Sequence, residues 1–115
     1  MSEDRKRLED HGTEHESELD RLRREIGEVD RALMALVAER VRLARRIGEA
    51  KRAAGLATLD ASREAAVVRQ AGELAREAGL DAEEVRPLVW HLIGLSRRAQ
   101  LEGGEAEEGT EERTP

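Results

Sequence analysis

One line of apolar residues in the first half of the chain limits the folds open to it. Between Leu19 and Ala54, apolar side chains recur in alternating steps of four and three residues. This spacing predicts one face of a long α-helix. We call this line the apolar seam; its members are Leu22, Ile26, Val29, Leu33, Leu36, Leu43, Ile47 and Ala50.

Two cations stand on the same line. Arg40 fills the position of the seam between Leu36 and Leu43, and Lys51 comes one step after Ile47. On a helix, Lys51 returns to within about 20° of Arg40, roughly 16 Å along the axis. Burying an unpaired cation is costly, so both must meet an anion that comes either from the protein or from a ligand.

The composition predicts an all-α protein whose core consists of Leu, Val, Ile and Ala. The 115 residues are 40% charged, include two prolines, and contain Trp90 as the single aromatic side chain. Without cysteine, neither a disulfide nor a thiolate metal site can form. The charged N-terminus lacks an apolar signal region, and no apolar run reaches membrane-spanning length. We therefore expect a soluble cytoplasmic protein without a membrane partner.

The net charge of −6 is concentrated at the two ends of the chain. Residues 1–16 carry −3 and residues 102–115 carry −5, which leaves +2 for the middle. Because nucleic-acid binding usually needs a stronger basic face with interleaved aromatic residues, we expect no nucleic-acid partner. We therefore expect a disordered N-terminal tail over residues 1–16 and a disordered acidic C-terminal tail over 102–115. A helical domain over 17–101 is predicted between them.

The first helix is predicted to be very long. Ser17 and Asp20 form a capping start, and Gly55 is a natural stop. A helix of roughly 37 residues is about 55 Å long, whereas a domain of this size has a radius of gyration of about 13 Å. The apolar seam would then extend beyond its own globule, so we expect a homodimer in which the long helices pack together.

Two further helices follow and carry polar residues on their apolar lines. Asp60 or Ser62 caps the second helix, and Asp81 opens a third that ends near Leu101. Their polar positions are Glu64, Ser96 and Gln100.

Each polar position has an ordinary explanation when it is taken alone. An arginine in the seam can set coiled-coil register, Glu64 can pair with it, and Ser96 and Gln100 can be exposed. Together with Arg40 and Lys51, however, they suit a small dianionic ligand that has a hydroxyl and a further acceptor oxygen. With no nucleophile–base pair or phosphate loop, an enzyme of this kind would work by positioning and electrostatics. His11 and His15 lack a third ligand, so we expect no metal site.

Four pieces of the sequence carry a family resemblance. They are LRREIGEVD at 22–30, LVAERVRLARRIGEAK at 36–51, Asp60 with Arg63 and Glu64, and Ser96 with Gln100. Over roughly residues 19–101 the chain resembles the all-helical class of chorismate mutases. The resemblance implies an intertwined homodimer of three-helix chains with two active sites. It also implies a monofunctional isomerase that converts chorismate to prephenate without a cofactor, on the shikimate-pathway route to phenylalanine and tyrosine.

The resemblance also implies a role for each site residue. Lys51 and Gln100 would be catalytic at the ether oxygen of the breaking bond. The substrate-binding residues would be Arg23 from the partner subunit, Arg40, Asp60, Arg63, Glu64 and Ser96. Arg23, Arg40, Arg63 and Ser96 would hold carboxylates, while Asp60 and Glu64 would bind the ring hydroxyl.

Two alternatives stay open at this point. The same fold could act as an isochorismate pyruvate-lyase or an aminodeoxychorismate mutase. A different class is a structural dimerising helical bundle in which Arg40 merely pairs with Glu64. The sequence also leaves open whether the chain docks to another shikimate-pathway enzyme that activates it.

Overall fold

The computed structural model describes residues 16–113, and their side chains through residue 103. This part of the chain forms three α-helices: α1 (Glu18–Ala53), α2 (Ala61–Glu77) and α3 (Ala82–Arg113). The predicted all-α class with one very long first helix is confirmed. None of these helices is long and apolar enough to cross a membrane. The histidine pair His11 and His15, and nearly all of the predicted N-terminal tail, lie outside the described residues.

The helix ends follow the capping residues of the sequence. The Ser17 hydroxyl accepts a hydrogen bond from the Asp20 amide at 3.1 Å, and the Asp60 carboxylate accepts one from the Arg63 amide at 3.0 Å. The chain leaves α1 through Gly55 at φ +72° and leaves α2 through Gly79 at φ +81°. Residues other than glycine rarely adopt this conformation. Gly55 therefore stops α1 where the sequence predicted, and Gly79 ends α2 in the same way.

The third helix continues past its predicted end near Leu101. It runs to Arg113, through residues that include many good helix formers such as Glu and Ala. Among the side chains that the structure describes, Arg45 of α1 pairs with Glu102 of this extension, with Nε 2.5 Å from the carboxylate. The separation of 102–115 from the helical domain as a tail stays a prediction.

The chain divides into two compact units, residues 1–36 and 37–115, with the boundary inside α1. In the first unit, the apolar seam is exposed within a single chain. Its side chains Leu22, Ile26, Val29, Leu33 and Leu36 are 45–63% exposed. Because so much apolar surface in one line is unusual for a monomer, this face is suited to an interface. The intertwined homodimer itself stays a prediction.

The second unit has a core of mostly small residues. Its buried hydrophobic side chains are Ala44, Ala75, Val89, Ile93 and Ala99. Gly48 of α1 is buried as well and lies directly against the backbone of Gln100 on α3. Small side chains at these positions let the helices approach closely, which brings their polar residues within reach of one another.

Candidate active site

A cavity of about 500 Å³ lies within the second unit, between side chains of all three helices. Its polar lining consists of Arg40, Lys51, Asp60, Arg63, Glu64, Ser96 and Gln100, and its apolar lining of Leu43, Ala44, Ile47, Val67 and Ile93. These polar side chains are the predicted site residues, apart from Arg23. The volume is in the range of small-molecule sites, which are largely apolar with a few convergent polar groups.

Arg23 is the one predicted site residue that the cavity lining does not include. It is exposed on α1, within the unit of residues 1–36. Its expected place is in the site of a partner subunit, so its role stays a prediction.

Arg40 is held in a fixed position by α3. Its Nη1 donates to the Ser96 hydroxyl and also lies 3.4 Å from the Leu92 carbonyl oxygen. A guanidinium has five N–H donors, so most of them remain for a ligand. Ser96 thus orients the guanidinium, and the pair presents a planar fork suited to a carboxylate.

Lys51 and Gln100 are hydrogen-bonded to each other. Lys51 Nζ donates to Gln100 Oε1 at 3.0 Å and to the Thr58 carbonyl oxygen at 2.8 Å. An ammonium group has three hydrogens, so one remains without a partner in the described part of the chain. Because the amide oxygen of Gln100 faces the ammonium, its NH₂ group is left as a donor. The pair therefore offers two adjacent donors to one acceptor on a ligand.

The backbone of Gln100 is fixed by two contacts that the sequence did not reveal. Arg52 Nη1 donates to the Gln100 carbonyl oxygen at 2.7 Å. A methyl group on Gly48 would lie 2.3 Å from the same oxygen, so only glycine permits this approach. The sequence feature that could have revealed this contact is the position of Gly48 inside a helix. A glycine there is unfavourable unless close packing requires it.

Asp60 and Arg63 lie at the start of α2. The Asp60 carboxylate caps the helix through the Arg63 amide, and the Asp60 carbonyl oxygen accepts from the Glu64 amide at 3.0 Å. The Asp60 N–H has no partner among the described residues, so it is the group left for a ligand.

Glu64 forms a two-bond ion pair with Arg97, a residue that sequence reasoning missed. Arg97 Nε lies 2.8 Å from Oε2, and its Nη2 lies 2.5 Å from Oε1. This hydrogen bonding lowers the pKa of the Glu64 carboxyl, although its partial burial opposes the effect. Arg97 adjoins Ser96 in sequence, but its pairing with Glu64 depends on how α3 packs on α2.

The charges around the cavity favour an anion. Three cations, Arg40, Lys51 and Arg63, face two carboxylates, Asp60 and Glu64. Because Arg97 neutralises Glu64 from outside the lining, the local balance is close to +2. Among the described residues, no group of three His, Asp or Glu side chains could hold a metal ion. The arrangement suits a small dianion held by hydrogen bonds.

Comparison with known proteins gives one family. The model of the family described as chorismate mutase type II matches residues 22–101, which include the whole polar lining of the cavity and also Arg23. No curated protein matches the sequence. Since the match covers more than half of the chain and all of the predicted site, the protein belongs to the chorismate mutase type II family, whose members are isomerases.

Proposed function

We propose that the protein converts chorismate to prephenate by holding the substrate in its reactive conformation and stabilising the ether oxygen as the C–O bond breaks. The observation that carries this proposal is the hydrogen-bonded pair of Lys51 and Gln100 beside Arg40 in one cavity. The family match supports chorismate mutase activity in general. The product would serve phenylalanine and tyrosine synthesis.

Carboxylate binding would fix the substrate conformation. The fork of Arg40, oriented by Ser96, would bind one carboxylate, with Arg63 as a supporting cation. Arg23 of the partner subunit would bind the other. Because the reaction is unimolecular, its rate depends on the fraction of substrate held in the compact chair, in which the reacting carbons approach. Two arginine clamps fix orientation as well as charge.

The ether oxygen would lie between Lys51 and Gln100. When C–O cleavage runs ahead of C–C formation, negative charge grows on this oxygen. The free N–H of Lys51 and the NH₂ of Gln100 would then bind the transition state more strongly than the ground state. Both donors are already oriented by the Lys51–Gln100 hydrogen bond, so little reorganisation is needed.

The ring hydroxyl would bind at the start of α2. An ionised Glu64 would accept its proton in a hydrogen bond, and the Asp60 N–H would donate to its oxygen. A ligand without this hydroxyl would leave both groups unpaired within the site. This contact distinguishes chorismate from substrates that carry another group at the position.

The direct test is to incubate the purified protein with chorismate and to identify the product by chromatography. We expect prephenate, and Arg40→Ala serves as the matched inactive variant. If the protein left chorismate unchanged but formed salicylate and pyruvate from isochorismate, it would be a lyase and the proposed reaction would be wrong. Unchanged chorismate and isochorismate would favour a structural role.

The pH dependence of kcat should be flat around neutrality. Gln100 donates a hydrogen bond without needing a proton from solvent, whereas a carboxylic acid at this position would have to be protonated. The lowered pKa of Glu64 keeps its carboxylate ionised well below neutral pH. Activity should therefore decline only when the pH falls through the pKa of Glu64. A kcat that collapsed between pH 6 and 8 would contradict this arrangement.

We propose further that the active form is a homodimer in which each site receives Arg23 from the other subunit. The exposed apolar seam would supply the interface. Mixing two variants, Arg23→Ala and Lys51→Ala, tests this sharing directly. Each homodimer should be nearly inactive, whereas a heterodimer has one site with both residues intact. After exchange of subunits at equal concentration, we expect about one quarter of the wild-type rate.

The control mixes Arg40→Ala with Lys51→Ala. These residues line the cavity of the same chain, so no heterodimer site is intact and no activity should return. Sedimentation measures the oligomeric state of each sample in parallel. If neither mixture regained activity and the protein sedimented as a monomer, the shared site would be contradicted.

A further inference from the structure

The ion pair between Glu64 and Arg97 has a directional arrangement. Glu64 lines the cavity and its side chain is 16% exposed, whereas Arg97 lies outside the lining and is 47% exposed. The carboxylate therefore stands between the guanidinium and the cavity. Arg97 donates to both carboxylate oxygens, from Nε and from Nη2.

Such a fork leaves the carboxylate able to bind a ligand. Each carboxylate oxygen has two acceptor positions, and Arg97 occupies one on each. The remaining positions are free to accept a hydroxyl from the cavity side. A bidentate pair also fixes the plane of the carboxylate, which a single hydrogen bond does not.

We infer that Arg97 is a positioning residue, which orients Glu64 and keeps it an ionised acceptor for the substrate hydroxyl. This inference rests on the proposed function and extends it to a side chain that does not itself touch substrate. It also explains how a carboxylate is tolerated in a site for a dianion, since Arg97 cancels its charge from the solvent side.

Other charged groups face Glu64, and they are weaker than Arg97 in their effect. Asp60 precedes α2 and its negative charge raises the pKa of Glu64, while the charge of Lys51 on α1 lowers it. The hydrogen bond from Arg97 on α3 is the largest influence. Removing Arg97 should therefore raise the pKa of Glu64 despite Lys51. The carboxylate would then take up a proton at a higher pH and lose its function as an acceptor there.

The test compares three substitutions in the full chain. Arg97→Leu removes the pair, Arg97→Lys keeps a cation without the fork, and Arg98→Leu is the matched control. Arg98 is the adjacent exposed arginine and makes no ion pair within the described part of the chain. Steady-state kinetics from pH 4.5 to 8 give kcat and KM for each variant. ¹³C NMR titration of the glutamate carboxyls gives the pKa of Glu64, with its signal assigned by loss in Glu64→Gln.

For Arg97→Leu at neutral pH we expect kcat/KM to fall about tenfold, mostly through KM, because a hydroxyl contact is made in ground and transition states alike. The acid limb of kcat/KM should move to higher pH, and the NMR pKa of Glu64 should rise with it. Arg97→Lys should restore part of the lost kcat/KM and part of the lowering of the Glu64 pKa. Arg98→Leu should match the wild type in both measurements.

An Arg97→Leu variant that loses thermal stability but keeps the wild-type KM and acid limb would overturn the inference, because the pair would then be structural only. An unchanged Glu64 pKa by NMR would overturn it as well. A wild-type chain that leaves chorismate unchanged would instead contradict the proposed function. The NMR titration needs no turnover, so it would still decide whether Arg97 controls Glu64.

Discussion

Replacing Lys51 with alanine should lower kcat for chorismate about 10²–10³-fold, the usual effect of losing one donor to a developing oxyanion. The ammonium is proposed to contact the ether oxygen at the stage when charge appears there. KM should change less than kcat, because this contact strengthens in the transition state. Steady-state kinetics with chorismate check the result. Gln100→Ala should give a smaller loss of the same kind, because a neutral donor stabilises charge less strongly than an ammonium.

The fold should survive this substitution. Lys51 makes hydrogen bonds to Thr58 and Gln100 in a half-buried setting, so its loss should cost about 1 kcal/mol of unfolding free energy. Thermal unfolding followed by circular dichroism measures this cost. Arg46→Ala, an exposed cation on the same helix, is the matched control for charge. If Lys51→Ala gained stability and the wild-type chain lacked turnover, the structural-bundle alternative would be favoured.

Replacing Gly48 with alanine should damage both stability and activity, although it adds a single methyl group. The new Cβ would lie 2.3 Å from the carbonyl oxygen of Gln100 and 2.7 Å from its Cα. These are backbone atoms, so α3 itself would have to move. We expect a loss of about 1–3 kcal/mol in unfolding free energy, as for other overpacked cores. Because displacing a catalytic group by about 1 Å can cost 10²-fold in rate, kcat should fall as well.

The control for Gly48→Ala is Gly72→Ala on α2. A Cβ at Gly72 would meet Ala82 and Arg76 at 3.8 Å, which is ordinary contact. Alanine is better than glycine in a helix interior by about 1 kcal/mol, so this variant should be more stable than the wild type. Opposite signs at the two glycines, measured by chemical denaturation, are expected. Equal stabilisation at both would contradict the close approach at Gly48.

Much of the fold could be predicted because local rules dictate it. The spacing of the apolar seam defines the apolar face of α1. The side chains of Ser17 and Asp60 accept hydrogen bonds from backbone amides at the starts of helices. Gly55 and Gly79 adopt the positive φ at which helices end. None of these features needs distant residues. The end of α3 was harder to predict for two reasons. Good helix formers continue past Leu101, and Glu102 pairs with Arg45, which is 57 positions earlier in the sequence.

The site could be predicted where polar residues interrupt an apolar line. Arg40, Lys51, Glu64 and Ser96 stand where the pattern asks for apolar side chains, and the family resemblance supplied Asp60 and Arg63. Arg97 gave no such signal, since an arginine on an exposed face is ordinary. Its pairing with Glu64 exists only because α3 packs on α2 in one register.

By itself, the sequence determined the helices, their caps, the polar set and the family, because periodicity, capping and residue type are local properties. The tertiary structure decided how those residues act together. It joined Lys51 to Gln100, so that the amide presents its NH₂ group, and it seated Arg40 on Ser96. Hydrogen bonds between residues some fifty positions apart depend on helix packing to within an ångström, and no pattern along the chain contains that distance.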